Sequence, residues 1–250
     1  MRRLKAWLRS LVVKAVGRLP AGALESLVVR LAAWYAEARP PEQALRFLLS
    51  LDNRLYSLQG RLAVAYGGGE HTKHRHTGYH DFFVDRVRPG QRVLDVGCGG
   101  GALAEDLARR AGARVVGVDQ DRGAVARARR EHAHPRVEYR QGRVPEDLPA
   151  EHFPVVVLSN VLEHLPRRVE FLRAVVERLE PERLLIRVPL YERDWRVPLK
   201  EELGVEWRAD PTHHTEYTLE SFAAEMAAAG LEVVEQVVRW GEIWAEARPR

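Results

Sequence analysis

Apolar residues in the first part of the chain recur every three or four positions, which is the spacing of an amphipathic helix. Such runs cover 4–19, 24–37 and 41–66. Pro20 separates the first two runs, and the third opens at Pro41, since proline is tolerated in a first helical turn. The pattern predicts three helices at the start of the chain.

Beyond Pro89 the pattern changes to short apolar runs that alternate with amphipathic stretches. The strand-like runs are 92–96, 114–118, 136–140, 154–158, 183–188 and 231–238, and the helical runs lie near 102–111, 122–132, 166–179 and 219–229. Such alternation is typical of a parallel sheet with helices on both faces. A last run at 241–247 would return antiparallel to its neighbour. The sequence therefore predicts a helical N-terminal extension over residues 1–70 and an α/β domain over residues 71–250.

The charge of the chain is unevenly distributed. It contains 39 Lys and Arg against 35 Asp and Glu, a formal net charge of +4. All of this excess falls within residues 1–18, which carry no acidic side chain, so the rest of the chain is slightly acidic. This distribution argues against a nucleic acid as partner. A basic amphipathic helix instead suggests peripheral contact with a membrane surface through residues 1–19.

Composition also bears on the compartment. A single cysteine excludes an intramolecular disulfide and a cysteine-cluster zinc site, which favours a cytoplasmic protein. No stretch reaches the roughly 18 apolar residues of a membrane span, and Lys14 interrupts the first apolar run, so no exported form is predicted. The scarcity of Lys, Asn, Met and Cys favours a thermophilic or GC-rich source.

A glycine-rich segment, Val-Leu-Asp-Val-Gly-Cys-Gly-Gly-Gly, spans residues 93–101, where the first strand must end and a helix begin. Glycine allows a tight turn there, and free N–H groups at a helix start attract negative charge. The spacing Gly97-x-Gly99-x-x-Ala102 also satisfies the dinucleotide fingerprint. Asp95 favours a different ligand, because a carboxylate at this place would repel a pyrophosphate and attract an amino group. The segment predicts a cofactor site with an amino acid-like ligand.

Two further strand ends carry polar residues. Asp119 closes the second strand, 22 residues after Gly97, which suits contact with a ribose in either cofactor class. The fourth strand ends in Val-Val-Val-Leu-Ser-Asn-Val-Leu-Glu-His-Leu, residues 155–165. Ligands in open parallel sheets bind at this carboxyl edge. Both strand ends are therefore candidate parts of one site.

Together these motifs resemble the class I, Rossmann-like S-adenosylmethionine-dependent methyltransferases. The match runs from about residue 88 to 188 and more loosely through 229–234. The resemblance implies a seven-stranded, mostly parallel sheet with helices on both faces and the strand order 3-2-1-4-5-7-6, strand seven being antiparallel. It also implies S-adenosyl-L-methionine as the cofactor.

The resemblance further implies roles for individual positions. Carried over by position, the cofactor-binding residues are Asp95, Gly97, Cys98, Gly99, Asp119, Gln120, Arg143, Val144 and Asn160. Asp95 would contact the methionine end of the cofactor, and Asp119 would bind the ribose. After the third strand the family commonly has Gly-Asp, with the acid on the adenine amino group, whereas this chain has Gly142-Arg143. Backbone groups at Arg143 and Val144 would then take over the adenine contact.

The chemistry implied is displacement at the sulfonium methyl, for which the cofactor supplies the reactivity. The protein orients the reactants and supplies a base only if the acceptor must lose a proton. His164 is the first candidate base, because an imidazole titrates near neutrality and this position faces the cofactor edge. Glu163 is the second. We expect methyl transfer to a small-molecule or lipid-linked acceptor, with oxygen as the first-choice nucleophile.

Two segments are candidates for contact with the acceptor, and the first of them is irregular over 71–80 with a short helical stretch predicted near 79–87. Residues 71–87 precede the first strand, where related methyltransferases form a lid, and residues 189–217 follow the fifth strand, where this fold commonly inserts acceptor-binding residues. The candidate substrate-binding residues in these segments are His74, Tyr79, His80, His213 and His214. The histidine spacings in the first segment match no metal-ligand pattern, so no metal site is predicted. A metal ion at Glu163-His164, as in some quinone-precursor O-methyltransferases that this motif resembles, is the less favoured alternative.

Three alternatives stay open. An RNA methyltransferase could carry the same motifs, an NAD-dependent oxidoreductase could use the glycine-rich segment, and a non-catalytic S-adenosylmethionine-binding module needs no base. Asp95 argues against the NAD-dependent oxidoreductase, and the slightly acidic α/β domain argues against RNA as substrate.

Overall fold

The computed structural model describes residues 2–250, with the side chains of all of these except residues 2–6, 8 and 9. The chain divides into two compact units. The helical unit runs as far as Gln59 and includes Lys200–Glu206, and the α/β unit consists of Gly60–Leu199 and Trp207–Arg250. The division at residues 1–70 and 71–250 stays a prediction.

The helices that the first apolar runs predict are present. They are α1 (Arg2–Val16), α2 (Ala21–Glu37) and α3 (Pro41–Tyr66). Within the helical unit, Asn53 on α3 donates to the backbone oxygen of Glu206 at 2.7 Å and accepts from Lys200 Nζ at 2.8 Å. These bonds explain why a segment so distant in sequence belongs to this unit. A search of residues 2–250 finds no helix with the length and apolar character needed to cross a membrane.

The α/β unit is built on one seven-stranded sheet. Its strands are β1 (Arg92–Val96), β2 (Arg114–Asp119), β3 (Val137–Gln141), β4 (Val155–Ser159), β5 (Arg183–Pro189), β6 (Leu231–Arg239) and β7 (Glu242–Pro249). The strands lie in the order β3-β2-β1-β4-β5-β7-β6. The first five are parallel, and β7 is antiparallel to both β5 and β6. The predicted fold class and strand order are confirmed.

Helices cover both faces of this sheet, as predicted. The remaining helices are α4 (Lys73–Thr77), α5 (Tyr79–Val84), α6 (Ala102–Arg110), α7 (Arg122–Glu131), α8 (Arg168–Leu179), α9 (Arg196–Glu202) and α10 (Leu219–Ala228), with short 3₁₀ turns at Leu162–His164 and Tyr191–Arg193. Alternate strand residues enter two different cores: Val93 packs with α5, α6 and α7, whereas Leu94 packs with α8 and α10. Burial on both sides explains why the central strands are continuous apolar runs.

Two helices were not expected from the sequence. Residues 71–80 read as irregular, yet α4 forms there and ends at Gly78, whose φ of 59° is left-handed. The second, α9, lies within the segment 189–217, which the apolar pattern left without an element. Both are short helices whose composition is mostly polar, so apolar periodicity gives little signal for them.

Candidate active site

A cavity of about 670 Å³ opens beside the glycine loop, residues 97–101. It is lined by this loop and by residues from the segment 67–79. The predicted site residues that line it are His74, Tyr79, Asp95, Gly97, Cys98 and Gly99. The structure thus brings the predicted methionine-end residues and two of the predicted acceptor-side residues to one cavity.

The glycine loop holds its turn through hydrogen bonds to the end of β2. The amides of Gly97 and Cys98 both donate to Val118 O, at 2.7 and 3.1 Å. The amide of Gly99 donates to Asp119 Oδ2 at 2.9 Å. Gly97 has φ 67°, a left-handed conformation that strains other residues, and a Cβ there would lie only 2.9 Å from a methyl carbon of Val161. Both the backbone conformation and the lack of space therefore require glycine. Asp119 braces the loop in addition to its predicted ribose contact.

Asp95 is a buried carboxyl group with an unused acceptor. It lies on β1 beside the cavity, is 2% exposed, and its Oδ2 has no hydrogen-bond partner among the described residues. Burial raises the pKa of Asp95 to about 7, and the neighbouring charge of Asp119 adds to the increase. A cationic amino group bound beside it would supply the missing partner and would favour the ionised form. The residue therefore fits the methionine end of the predicted cofactor.

The segment 71–87 contributes neutral and aromatic groups to the same cavity. Burial, helped by the charge of Lys73, lowers the pKa of His74 to about 4, so this imidazole is uncharged at neutral pH. Its ring meets the ring of Tyr79 edge to face at 5.3 Å. The His80 imidazole, by contrast, is held by Asp106 at 2.8 Å and does not line this cavity. Its predicted contact with the acceptor stays a prediction.

A buried arginine that was not predicted from the sequence packs against the ring of Tyr79. Arg187 on β5 is 4% exposed, its guanidinium carbon is 3.7 Å from the centroid of the Tyr79 ring, and its Nε is 3.0 Å from Glu242 Oε2. Its Nη1 has no hydrogen-bond partner among the described residues. The sequence does contain a sign of this residue, because Arg187 is a charged residue within the otherwise apolar run 184–188. The result is a positive charge at the carboxyl edge of the sheet.

A second cluster of functional groups forms just past β4. Potential metal-ligand atoms of Glu163, His164 and His213 all lie within 4.8 Å of one another. The two imidazole rings meet edge to face at 4.6 Å, and His214 anchors the loop through its amide, which donates to Glu163 O at 2.7 Å. The prediction contained no metal site, yet these three side chains could hold a metal ion. The proximity of Glu163 to His213 could not be predicted from the sequence, because the two residues are 50 positions apart and meet only in the folded chain.

Glu163 is the most deeply buried member of this cluster. It is fully buried, and neither carboxyl oxygen has a hydrogen-bond partner among the described residues. Burial raises the pKa of Glu163 to about 8, so the carboxyl group is largely protonated at neutral pH. Burial also lowers the pKa of His213 to about 4, with the neighbouring His164 contributing. At neutral pH the cluster thus contains a protonated acid beside a neutral imidazole.

Other predicted cofactor residues do not line the cavity. They are Asp119, Gln120, Arg143, Val144 and Asn160. Asn160 has φ 58°, and its amide donates to Arg187 O at 2.8 Å, so it fixes the turn after β4. The Arg143 amide donates to Asp147 Oδ2 at 2.8 Å, so that donor is already engaged. Asp147 is an acid that sequence reasoning missed, in the segment where the family commonly has one. The adenine contacts stay predictions.

The fold and the site together define a class I S-adenosylmethionine-dependent methyltransferase. The chain belongs to the family described as "Methyltransferase domain", whose model matches residues 69–236. The motif-based recognition is therefore confirmed, including its cofactor class.

Known proteins resemble the chain to different extents. It is 39% identical over 170 residues to a ubiquinone biosynthesis O-methyltransferase of Azorhizobium caulinodans, covering 64% of this chain and 66% of that protein. A protein of the same name from Hahella chejuensis is 42% identical over 106 residues, covering 40% of this chain and 44% of its own length. The chain therefore spans less than two thirds of either relative. A TehB-like methyltransferase structure from Corynebacterium glutamicum shares the fold, with TM-score 0.54 and 17% identity over 80% of this chain and 99% of that one.

The burial of Glu163 predicts a specific pH dependence of stability. Because its pKa is about 8 in the folded state and about 4.5 when exposed, the protonated form favours folding. This contribution is complete below about pH 4.5 and is lost as the pH rises through 8. The free energy of unfolding of the wild type should therefore fall relative to Glu163→Gln over this range, measured by denaturant titration. The exposed Glu170→Gln is the matched control; parallel curves for all three proteins would contradict the assignment.

Proposed function

We propose that this protein transfers a methyl group from S-adenosylmethionine to a hydroxyl oxygen of a small or lipid-linked aromatic acceptor. One observation carries the proposal: the cluster of Glu163, His164 and His213 at the carboxyl end of β4, on the strand that adjoins β1 with Asp95. The relatives named ubiquinone biosynthesis O-methyltransferase support oxygen as the nucleophile, and because ubiquinone is a quinone, that name favours an aromatic precursor ring as the carrier of the hydroxyl group.

One set of residues binds the cofactor, and another receives the proton of the acceptor. When bound, S-adenosylmethionine supplies a methyl group activated by the sulfonium. Asp95 holds its amino group, and the backbone of Gly97 and Gly99 allows close approach. Residues of the segment 67–79 line the other side of this cavity.

His164 receives the proton of the acceptor hydroxyl. It is more exposed than Glu163 and His213, so an acceptor can reach it from solvent. A positioned imidazole base typically contributes about 10² to 10⁴ in rate. Glu163 is the less suitable base, because its raised pKa leaves it mostly protonated at neutral pH. Because Glu163 is also fully buried, the acceptor meets His164 rather than this carboxyl group.

The proposal predicts that His164→Gln slows methyl transfer without weakening cofactor binding. With labelled S-adenosylmethionine and catechol as acceptor, we expect kcat to fall at least about 100-fold, because the base is lost. His152→Gln, on a different loop, is the matched control and should behave as the wild type. Calorimetry with S-adenosylmethionine and NAD accompanies the assay.

Other outcomes would overturn this proposal in distinct ways. NAD binding without adenosyl binding would indicate the oxidoreductase, and label entering RNA with salt-sensitive affinity would indicate an RNA substrate. Cofactor binding with no transfer to any component of a cell extract would indicate a binding module. Loss of wild-type activity on chelation with EDTA would assign the cluster to a metal ion instead of a base.

We also propose that α1 contacts an anionic membrane surface. Trp7, Leu11, Val12 and Val16 are all at least 40% exposed on this helix, and Lys14 and Arg18 are exposed near its end. Further exposed apolar side chains lie on α2, among them Leu27, Val28, Leu31 and Trp34. An apolar helical surface edged by cations is typical of interfacial helices.

The membrane proposal predicts that Lys14→Glu/Arg18→Glu weakens sedimentation of the full chain with vesicles containing phosphatidylglycerol. Each basic residue near the surface contributes about 1 kcal/mol, so reversal of two charges should reduce binding at least tenfold. Arg136→Glu/Arg239→Glu carries the same change in charge on exposed positions of the α/β unit and is the control. Equal loss in both variants, or equal binding of the wild type to neutral vesicles, would contradict a specific role for α1.

A further inference from the structure

The loop before α10 supports His164 through a chain of two hydrogen bonds. Thr212 Oγ1 lies 3.0 Å from His164 Nδ1 and 2.7 Å from Asp210 Oδ1. The amide of Thr212 also donates to Asp210 Oδ1, at 2.8 Å. Hydrogen bonds from the side chain and the backbone of Thr212 lower the pKa of Asp210, so this carboxylate is ionised at neutral pH.

Counting hydrogens determines the direction of this chain. An ionised carboxylate only accepts, and a threonine hydroxyl has one hydrogen to give. The Thr212 hydroxyl must therefore donate to Asp210, which leaves only its lone pairs for His164. The hydrogen of the second bond must then reside on His164 Nδ1. His164 Nε2 has no hydrogen-bond partner among the described residues and presents a lone pair.

The neighbouring histidine is held in the same manner. His213 Nδ1 lies 3.1 Å from Glu216 Oε1, and the other oxygen of Glu216 is paired with Arg193. An ion-paired carboxylate again accepts, so His213 also carries its hydrogen on Nδ1. Two acids from one loop thus orient two imidazoles of the cluster, and Asp210 does so through a hydroxyl group.

We propose that Thr212 and Asp210 are positioning residues that hold His164 as the Nδ1–H tautomer and so keep its Nε2 lone pair available to the acceptor hydroxyl. The inference rests on the proposed function for its catalytic consequence, but the tautomer itself is independent of any reaction. The opposite tautomer would place a hydrogen on Nε2 and could not accept a proton there. The relation between a base and the group that orients it is the general logic of a catalytic triad.

The test compares Thr212→Val, which removes the hydroxyl at nearly constant shape, with Thr212→Ser, which retains it. Long-range ¹H–¹⁵N correlation spectra of the ¹⁵N-histidine-labelled full chain at about pH 8 report which ring nitrogen carries the hydrogen. The His164 signal is assigned by its loss in His164→Gln. We expect Nδ1–H in the wild type and in Thr212→Ser, and a mixture of both tautomers in Thr212→Val.

Turnover of catechol provides the second readout. Thr212→Val should lower kcat at least about tenfold with an unchanged dissociation constant for S-adenosylmethionine, and Thr212→Ser should restore it. A wild-type Nε2–H signal, or equal tautomers and equal kcat in the valine and serine variants, would overturn the proposal. The Nδ1–H tautomer in a wild-type protein that methylates no acceptor would uphold the hydrogen-bond chain and overturn only the proposed function.

Discussion

Two carboxyl groups are buried at the carboxyl edge of the sheet with oxygen atoms that no described residue satisfies. Asp95 ends β1 and Glu163 follows β4, the neighbouring strand, so both face the region where parallel sheets bind ligands. Burial of an unpaired polar group costs free energy, which is reflected in the raised pKa of each residue. The fold tolerates this cost at its ligand-binding edge, and the remaining features of the site are arranged around the two acids.

The two acids differ in what surrounds them, and this separates their roles. Asp95 lies beside an open cavity and the glycine loop, where a cationic group can reach it. Glu163 lies beside two histidines whose Nδ1 atoms are held by other partners. The first environment suits recognition of a charged cofactor, and the second suits handling of a proton. Under the proposed function, this sheet edge would bind the cofactor at one strand and would place the base just past the next.

The sequence predicted the strands and the glycine loop because these depend on local patterns, whereas the strand order was implied by the family resemblance that the motifs carry. Apolar runs of strand length, glycine spacing and the acids at strand ends are all readable within short segments. The pairing of Glu163 with His213, the burial of Arg187 and the hydrogen bonds of Asp210 and Thr212 depend on how distant segments meet. Such contacts leave no periodic signal, so the histidines were identified as candidates without their partners. The helices α4 and α9 were missed because they are short and mostly polar, so they show little apolar periodicity.

The proposed function depends on recognition of the charged end of S-adenosylmethionine by Asp95. Calorimetric titration of the full-length wild type, of Asp95→Asn and of the exposed Asp85→Asn tests it most directly, because asparagine keeps the shape and removes the charge. We expect Asp95→Asn to bind S-adenosylmethionine at least about tenfold more weakly than the wild type, because one charge-assisted hydrogen bond is lost. Asp85→Asn should match the wild type. Equal affinity of all three proteins for S-adenosylmethionine would contradict this role of Asp95.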